Sequence, residues 1–552
     1  MTLWRRITRR LGPLPAKRVT WGLVLVFSAW ALLDVFVFKV SSGLAKSSYD
    51  AMVRARVFAA RADPRIVIID IDEATLSRMA REFGRWPWPR DTLATVLDHV
   101  ERQQPAAIVW DILFSDADRL SPGGDAAFNE AARRSLHSHF SVVRLPGTLD
   151  AASQITQAAL PGLWLALAAP SSAAPAATPL VPVALIPPAL PAIAAARLGF
   201  NNGYVDPDGV LRRYRYVEPL ADGSAIQSIA MSVMNATDKI ANYAHSTRAI
   251  GVFDRKHAND GLIAWRKHAS AYPHVPFADV FAQAEGGKPL ADLQTFAGKV
   301  VIIGSTAPSL HDIHPTPLSP TMAGVDSLAT ALDNGLNQRH LRELPPGVQA
   351  GIAVALCAGL ALWVQFKSMA SLTPALLALP VALLGISYLS LNGSPVFLDL
   401  HVAAGVALAF LAVLRVWNSL RRKYWCSPPP DADGLAQPLA IWAWERQGAW
   451  LETPLDRLID AVERHAPRCR VVASDARVTW PSTLRWPELA RFCAVVGPHD
   501  AVLAAQGALA PACRRLALRS GALVVVDFPA DREKLANSVL AAWSTLQKKA
   551  TS

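Results

Sequence analysis

Polar side chains follow several short apolar runs of the sequence, at the positions where buried strands would end. The runs IVIID, IVWDIL and VVIIG, at 66–70, 108–113 and 300–304, are rich in β-branched residues and typical of buried strands. Because an open α/β sheet binds its ligands beyond the carboxyl ends of its strands, we expect the polar residues near these ends to line a crevice. The candidates are Asp70, Asp72, Asp111, Ser305, Thr306 and Asp312. In the alternative, Asp72 caps the following helix and Asp111 pairs with an arginine.

Two further segments carry residue types that suit ligand binding. The segment WPWPR at 86–90 places Trp86, Trp88 and Arg90 on a stiff, proline-rich backbone, where they could line a pocket. The alternative is that the aromatic rings are buried and fix the following helix to the sheet. The histidines of HDIH at 311–314 flank a carboxylate, yet this spacing matches no standard zinc motif. We therefore expect no metal and no other cofactor.

The elements that must position these residues alternate between strands and helices. The residues after 75, and those at 91–102, carry apolar side chains at helical spacing between the strand-like runs. This alternation predicts an α/β domain whose sheet is at least partly parallel. The Ala- and Pro-rich stretch at 145–197 contains no uninterrupted apolar run of bilayer length, so we predict a long surface excursion there.

The chain as a whole is too apolar for an ordinary soluble protein. Hydrophobic residues make up 52% of its 552 residues and charged residues 18%, which favours a membrane protein with large aqueous domains. Apolar runs at 21–40, 348–366, 372–391 and 402–417 approach or reach the roughly 20 residues that cross a bilayer. Four transmembrane helices are therefore predicted. Asp34 in the first run is costly in lipid, so we expect it at the membrane surface or against protein.

Lysine and arginine residues beside the apolar runs set the predicted orientation. The net charge is +11, and much of the excess lies in the N-terminal segment at 1–20 and in the cluster RRK at 421–423. By the positive-inside rule both termini are cytoplasmic, and residues 41–347 are exported across a bacterial inner membrane. In a rival interpretation the first run is a signal peptide cleaved near Ala45. The exported segment has no cysteine, so it needs no disulfide framework.

Motifs of the exported segment resemble the CHASE sensory domain of the second type, a cyclase- and histidine-kinase-associated sensing extracellular domain. In order, they are IVIIDIDE, WPWPR, IVWDILF, GFNNGYVDPDGVLRR at 199–213, GKVVIIGSTAPSLHDIHPTPL at 298–318 and AGVDSLATAL at 323–332. The resemblance covers about 49–345 and implies extracytoplasmic sensing of an unidentified ligand or protein. Thr316 lies in the same matched motif as Asp312, which adds it to the candidate ligand-binding residues. Such domains typically follow one span and precede three more.

A smaller domain follows the last predicted span. After a proline-rich linker at 427–434, residues 435–552 alternate strand-like and helical patterns and predict a small cytoplasmic α/β domain. The resemblance favours a cyclase or kinase here, but the sequence has neither a phosphate-binding glycine loop nor a kinase catalytic loop. We therefore predict an output domain without catalytic residues that binds a cytoplasmic signalling protein and no nucleic acid. A divergent enzyme and a structural subunit of an envelope assembly are the alternatives.

A row of small residues suggests how two copies of the chain could associate. Gly351, Ala355 and Gly359 lie on one face of the second predicted span. Small residues let transmembrane helices approach each other closely. We therefore expect a homodimer that packs through this face.

Overall fold

The chain divides into two units, seen in a computed structural model. The central unit comprises Ser42–Pro346 and Ile386–Asp399, and the terminal unit comprises Met1–Ser41, Gly347–Gly385 and Leu400–Ser552. The structure describes residues 11, 14–165, 181–220, 224–237, 260–287, 296–366, 374–427, 439–445, 452–473, 492–515, 522–526 and 532–551. The predicted linker beyond Ser427, the basic segment at 1–10 and the middle of the Ala- and Pro-rich stretch, at 166–180, lie outside these ranges.

Helices and strands alternate along most of the described chain. The helices are α1 (Ala16–Leu33), α2 (Val40–Arg54), α3 (Glu73–Phe83), α4 (Arg90–Glu101), α5 (Pro122–Arg134), α6 (Pro191–Ala194), α7 (Ile229–Ala236), α8 (Phe277–Ala284), α9 (Gly324–Leu336), α10 (Pro346–Phe366), α11 (Ala375–Gly393), α12 (His401–Trp425), α13 (Glu452–His465), α14 (His499–Arg515) and α15 (Arg532–Thr551). The strands are β1 (Ile66–Asp70), β2 (Ala107–Leu113), β3 (Ser138–Arg144), β4 (Trp164–Leu165), β5 (Leu185–Ile186), β6 (Arg197–Phe200), β7 (Arg213–Arg215), β8 (Val217–Pro219), β9 (Ala225–Gln227), β10 (Asp260–Leu262), β11 (His274–Pro276), β12 (Val300–Gly304), β13 (Ile313–His314), β14 (Met322–Ala323), β15 (Arg342–Glu343), β16 (Val396–Phe397), β17 (Leu439–Glu445), β18 (Arg470–Ala473), β19 (Phe492–Pro498) and β20 (Ala522–Val526).

A largely parallel sheet forms the middle of the central unit. Its strands run in the order β11-β1-β12-β2-β3-β5, and β6 also pairs with β3. All of these pairs are parallel except β3 with the two-residue strand β5. Strands β1 and β12 are buried along their whole length, as expected for strands covered on both faces. The partly parallel α/β sheet predicted from the sequence is confirmed.

The Ala- and Pro-rich stretch at 145–197 contributes to the core, which corrects the prediction of a surface excursion. In its described part, Leu163, Val183 and Ile193 are fully buried and belong to the same apolar cluster as strands β1 and β2. Prolines exclude a long helix, but they do not prevent short segments from burying apolar side chains. The prediction is therefore wrong for the described residues of this stretch, because the absence of a long helix does not imply exposure.

The terminal unit contains apolar helices that share a core. Among the described residues, four helices are long and apolar enough to cross a membrane: Ala16–Phe38, Pro346–Gln365, Ala375–Gly393 and His401–Trp425. They overlap the four predicted runs. The rings of Phe27 on α1 and Phe410 on α12 meet edge to face at 5.8 Å, in a cluster that includes Cys357 of α10. Helix α12 continues beyond the predicted end at 417 to Trp425.

Asp34 lies against its own chain at the end of the first apolar helix. A π-helical turn, Asp34–Phe38, extends α1, and Lys39 follows in the left-handed region with a φ of 52°. The backbone N–H of Val40 donates to the Asp34 carboxylate at 2.8 Å, and the Ser41 hydroxyl also donates to it. These bonds stabilise a carboxylate that would otherwise be costly in an apolar helix.

A four-stranded antiparallel sheet forms the C-terminal part of the terminal unit. The chain order is β17-α13-β18-β19-α14-β20, and the sheet order is β18-β19-β17-β20. This is the split βαβ, ferredoxin-like arrangement. Strands and helices are both present in the described residues of this domain, but the antiparallel pairing was not foreseen. Trp425 and Cys426, at the end of α12, are buried in the core of this C-terminal domain.

Candidate functional site

A cavity of about 580 Å³ lies at the carboxyl edge of the parallel sheet. In the sheet, Asp70 pairs with Gly304, and Ile303 pairs with Trp110, the residue before Asp111. The ends of β1, β12 and β2 therefore meet at one edge, as the sequence predicts. Of the candidate residues, the cavity is lined by Trp86, Trp88, Arg90, Asp111, Ser305 and Asp312. Their role in ligand binding stays a prediction, but the structure brings them together.

Asp111 and Asp312 form the acidic part of the cavity wall. The side-chain amide of Asn201 donates to Asp111, so that within the described residues Asp111 is paired with an amide rather than an arginine. Burial and the nearby Asp312 carboxylate raise the pKa of Asp111 to about 7, although His314 and Asn201 act in the opposite direction. Asp312 lies 3.5 Å from the His314 ring and raises the pKa of that histidine. Asp111 can therefore take up or release a proton near neutral pH.

Two glycines make room for these carboxylates. A Cβ atom at Gly324 would collide with the Asp312 carboxylate, and a Cβ at Gly304 would come within 3.0 Å of the Asp111 Cβ. The backbone N–H of Gly324 also donates to the Asp312 carbonyl oxygen at 2.9 Å. Both positions therefore require glycine because the acidic side chains approach the backbone closely.

Asp70 and Thr306 lie beside the cavity but hold the sheet edge together. The Thr306 hydroxyl donates to the Asp70 carboxylate at 2.7 Å, and the backbone N–H of Thr306 donates to it at 2.9 Å. His274 lies between Asp70 and Asp326, at 3.0 and 3.2 Å. Burial alone would lower the pKa of His274, but its hydrogen bonds to these carboxylates raise that pKa to about 9. Asp70 and Thr306 are therefore engaged in a local ion-pair cluster and do not line the cavity.

Asp72 and Thr316 have local structural roles as well. Asp72 is the N-cap of α3, and its side chain accepts a hydrogen bond from the Thr75 N–H at 2.6 Å. This is the capping alternative weighed from the sequence. Thr316 is buried, and its hydroxyl accepts a bond from the Ser319 N–H at 3.2 Å. Neither residue is among those that line the cavity.

The WPWPR segment contributes both to the core and to the cavity. Trp88 is 2% exposed and packs against Phe277 of α8, with ring centroids 5.5 Å apart. Trp86 is half-buried and meets Trp88 edge to face at 4.9 Å. The Arg90 guanidinium donates to Asp125 and lies over the Phe114 ring. Trp88 thus fixes the segment to the domain, whereas Trp86 forms part of the wall.

Several residues of the cavity wall were not predicted from the sequence. Asn201 and Asn202 follow strand β6, whose carboxyl end lies at the same sheet edge as that of β3. The rule that found Asp70 would have found them, had β6 been recognised as a strand. His314 was set aside because the metal interpretation failed, and Tyr214 and Ser327 carried no signal in the sequence.

Beyond the cavity, the segment at 201–213 forms ion pairs with α2 and β15 of the central unit, which adjoin apolar helices in the chain. Arg212 donates from Nε and Nη2 to Asp50 of α2, at 2.8 and 2.7 Å. Its other N–H groups bond Asp206 and Asp208 at 2.8–2.9 Å. Arg213 forms a forked pair with Glu343 of β15, at 2.7 and 2.8 Å. Strand β15 pairs in parallel with β16, which lies between α11 and α12.

In the terminal unit, arginines at the end of α12 bind the first helix of the C-terminal domain. Arg421 donates to Asp460 and Glu463 of α13, and Arg422 donates to both oxygens of Asp456 at 2.6 and 2.8 Å. Bidentate arginine–carboxylate pairs fix orientation as well as distance. The basic cluster taken from the sequence as a topology signal therefore also attaches the C-terminal domain to α12.

The face predicted to form a dimer is exposed in the single chain. Gly351, Ala355 and Gly359 are exposed on α10, whereas the buried residues of that helix lie on another face, at Ala353, Cys357 and Ala361. The small-residue row is thus not used for packing within the described part of the chain. Dimer formation stays a prediction.

These features define a class of protein: an α/β domain with a cavity at the carboxyl edge of its sheet, carried by helices apolar enough for a membrane. A family model for the CHASE2 domain matches residues 23–363, more than half of the 552-residue chain. The chain therefore belongs to the CHASE2 domain family, a family of extracellular sensory domains. The resemblance inferred from ordered motifs is confirmed. Neither the comparison with curated proteins nor that with solved structures found a match.

Proposed function

We propose that the protein is a sensor of the bacterial inner membrane that detects a small molecule outside the cytoplasm and relays its binding to the C-terminal domain. Both termini are cytoplasmic, and residues 41–347 lie outside. The observation that carries the proposal is the continuity of the segment at 201–213, which begins in the cavity wall and ends in the ion pairs that hold α2 and β15.

Chain connectivity gives this segment a route to the spans. Helix α2 follows the first span, and Glu343 lies shortly before α10, which is the second. Movement of Asn201 on ligand binding would therefore reach Arg212 and Arg213 within the same segment, and through them the ends of two spans. A ligand shifts such an equilibrium only if it binds the two arrangements with different affinity.

The relay continues through the last span. Helix α12 runs without interruption to Trp425, and its arginines bind α13. Glu463 of α13 also accepts a bond from the backbone N–H of Ala16, at the start of α1, at 3.0 Å. Displacement of α1 or α12 would therefore move helix α13 of the C-terminal domain. In this proposal the domain is not an enzyme but binds a cytoplasmic signalling protein.

Permanent occupation of the cavity tests the proposal without knowledge of the natural ligand. Leu113 lines the cavity and is partly exposed, and Cys357, Cys426, Cys469 and Cys493 are buried. Cys513 would be replaced by serine in every variant of the experiment. A Leu113→Cys variant of the full chain in nanodiscs would be reacted with benzyl methanethiosulfonate. We expect altered hydrogen exchange of the α2 amides, and a smaller effect when Arg212→Lys is added.

A matched control separates cavity occupation from mere modification. Leu120 is 98% exposed and does not line the cavity, so Leu120→Cys places the same benzyl group on the same domain outside the cavity. The control should leave exchange of α2 unchanged. Unchanged exchange in the labelled Leu113→Cys variant would show that the cavity is not coupled to the membrane-adjacent segments.

A further inference from the structure

We propose that the cavity binds a small organic cation, an amine or guanidinium group on an aromatic or apolar body. This inference rests on the proposed sensory function and names the ligand class of the same site. Three sets of observations support it: the charges of the wall, its aromatic rings, and its unsatisfied hydrogen-bonding groups. Its volume of about 580 Å³ lies in the range of small-molecule pockets.

The wall has an excess of acidic side chains. Its described charged or titratable residues are Arg90, Asp111, Asp116, Tyr214, Asp312 and His314. Arg90 is already bound to Asp125, which lies outside the wall, so its charge is compensated. Asp111 accepts a bond only from the neutral amide of Asn201 among the described contacts, and His314 faces Asp312. A ligand cation would bring a positive charge to Asp111, whose described hydrogen-bond donor is a neutral amide, whereas His314 is the basic partner of Asp312.

Aromatic rings form another part of the cavity wall. Trp86, Trp88, Phe114 and Tyr214 all line it, and the two tryptophans meet edge to face. Aromatic faces attract cations as well as apolar groups, and tryptophan does so most strongly. Carboxylates beside aromatic rings favour an amine over a carboxylate or phosphate ligand, because an anion would meet both the acidic pair and the negative ring faces.

Three buried polar groups in the same wall lack hydrogen-bond partners within the described part of the chain. They are the indole Nε1–H of Trp88 and the hydroxyls of Tyr214 and Ser327, on residues that are 2%, 7% and 4% exposed. Buried donors are normally satisfied by protein, water or ligand. A ligand that carries a hydrogen-bond acceptor on its body, in addition to the cationic group, would satisfy them.

Matched probes distinguish charge from shape. Tyramine is a cation with an aromatic body and a phenolic oxygen, tyrosol is its neutral analogue, and 3-(4-hydroxyphenyl)propionate is its anionic analogue. Binding would be measured by calorimetry on the full chain in nanodiscs at pH 8, with tryptamine and agmatine as further amines. We expect binding of at least one amine, and at least tenfold weaker binding of the neutral and anionic analogues.

Variants connect the binding to the acidic pair. Asp111→Asn keeps the shape of the side chain, removes its charge, and should weaken amine binding at least tenfold. Asp98→Asn changes an exposed carboxylate of α4 that pairs with Arg134 outside the cavity, and should change nothing. Trp86→Leu provides a second test at a half-buried position and should also weaken the binding of the amine.

The pH dependence gives an independent readout. Because burial and Asp312 raise the pKa of Asp111 to about 7, a proton competes with the ligand cation below that pH. Amine affinity should therefore fall about tenfold or more between pH 8 and pH 5.5, and this fall should shrink in Asp111→Asn.

The outcomes separate this inference from the sensory proposal. If none of the three amines binds, or if the neutral or anionic analogue binds as tightly, the ligand class is wrong. The proposed sensory function would still hold if attachment of the benzyl group at Leu113→Cys changed hydrogen exchange of the α2 amides. If an amine binds with the expected pH and Asp111 dependence but the tether has no effect, the ligand class holds and the relay is wrong.

Discussion

Replacement of Arg212 by methionine should loosen the attachment of helix α2 to the rest of the central unit. The Arg212 side chain is 3% exposed, and its five N–H groups make five bonds of 2.7–2.9 Å to Asp50, Asp206 and Asp208. Methionine fills similar space but removes the cation that joins Asp50 to Asp206 and Asp208, and only Asp206 keeps other cations, Arg213 at 3.0 Å and Lys46 at 3.4 Å. Removal of one partner from a buried ion pair costs about 3–5 kcal/mol. At about 1.4 kcal/mol for each factor of ten, local opening of α2 should become roughly a hundredfold more frequent, or more.

Hydrogen exchange of the backbone amides of α2, in the full chain in nanodiscs, measures this opening directly. Arg212→Lys should fall between wild type and Arg212→Met, because an ammonium group keeps the charge but has only three donors and no planar fork. The control is Arg133→Met: Arg133 pairs with Glu130 where both side chains are exposed, at 65% and 46%. Such a surface pair contributes about 0–1 kcal/mol. If α2 exchanges equally fast in wild type and Arg212→Met, the proposed attachment of the first span through Arg212 is refuted.

Three further changes test other parts of the structure. The partners of His274 raise its pKa to about 9, against about 6.5 in an unfolded chain, so its contribution to stability is full below about pH 6.5 and is lost as the pH rises through 9. The melting temperature of the wild type should therefore fall more over this pH range than that of His274→Asn. Parallel curves of melting temperature against pH would contradict this. Arg421→Met should increase exchange in α13 at least tenfold by removing a buried cation, and unchanged α13 would show that this pair does not attach the C-terminal domain. Gly359→Leu should reduce crosslinking between chains through a cysteine introduced at Gly351, and undiminished crosslinking would exclude this face as the dimer contact.

The sheet edge could be predicted from sequence because its signals are local. A β-branched run followed by an acid or a small polar residue indicates a strand end, and this identified Asp111 and Ser305 as neighbours although 190 or more residues separate them in the chain. The same rule could not predict that the Asp70 carboxylate is already hydrogen-bonded to Thr306 and His274. That distinction depends on strand β11 lying beside β1, and the order of strands in a sheet is set by tertiary packing that no local pattern records.

Long-range ion pairs could not be predicted at all. Arg212 and Asp50 are 162 positions apart, and nothing in the composition around either residue indicates the other. In the same way, RRK at 421–423 fits a topology signal so well that its pairing with α13 was not considered. The C-terminal sheet shows a related limit, because alternation of strands and helices predicts an α/β layer but does not distinguish parallel from antiparallel pairing.

The central claim is that occupation of the cavity changes the C-terminal domain. The most direct test is hydrogen exchange of helix α13 in the full-length Leu113→Cys protein in nanodiscs, before and after reaction with benzyl methanethiosulfonate. The account predicts a change in α13 protection that is absent in the labelled Leu120→Cys control and is lost when Arg421→Met disconnects α13 from α12. A change confined to the central unit, with α13 unaltered, would contradict the account.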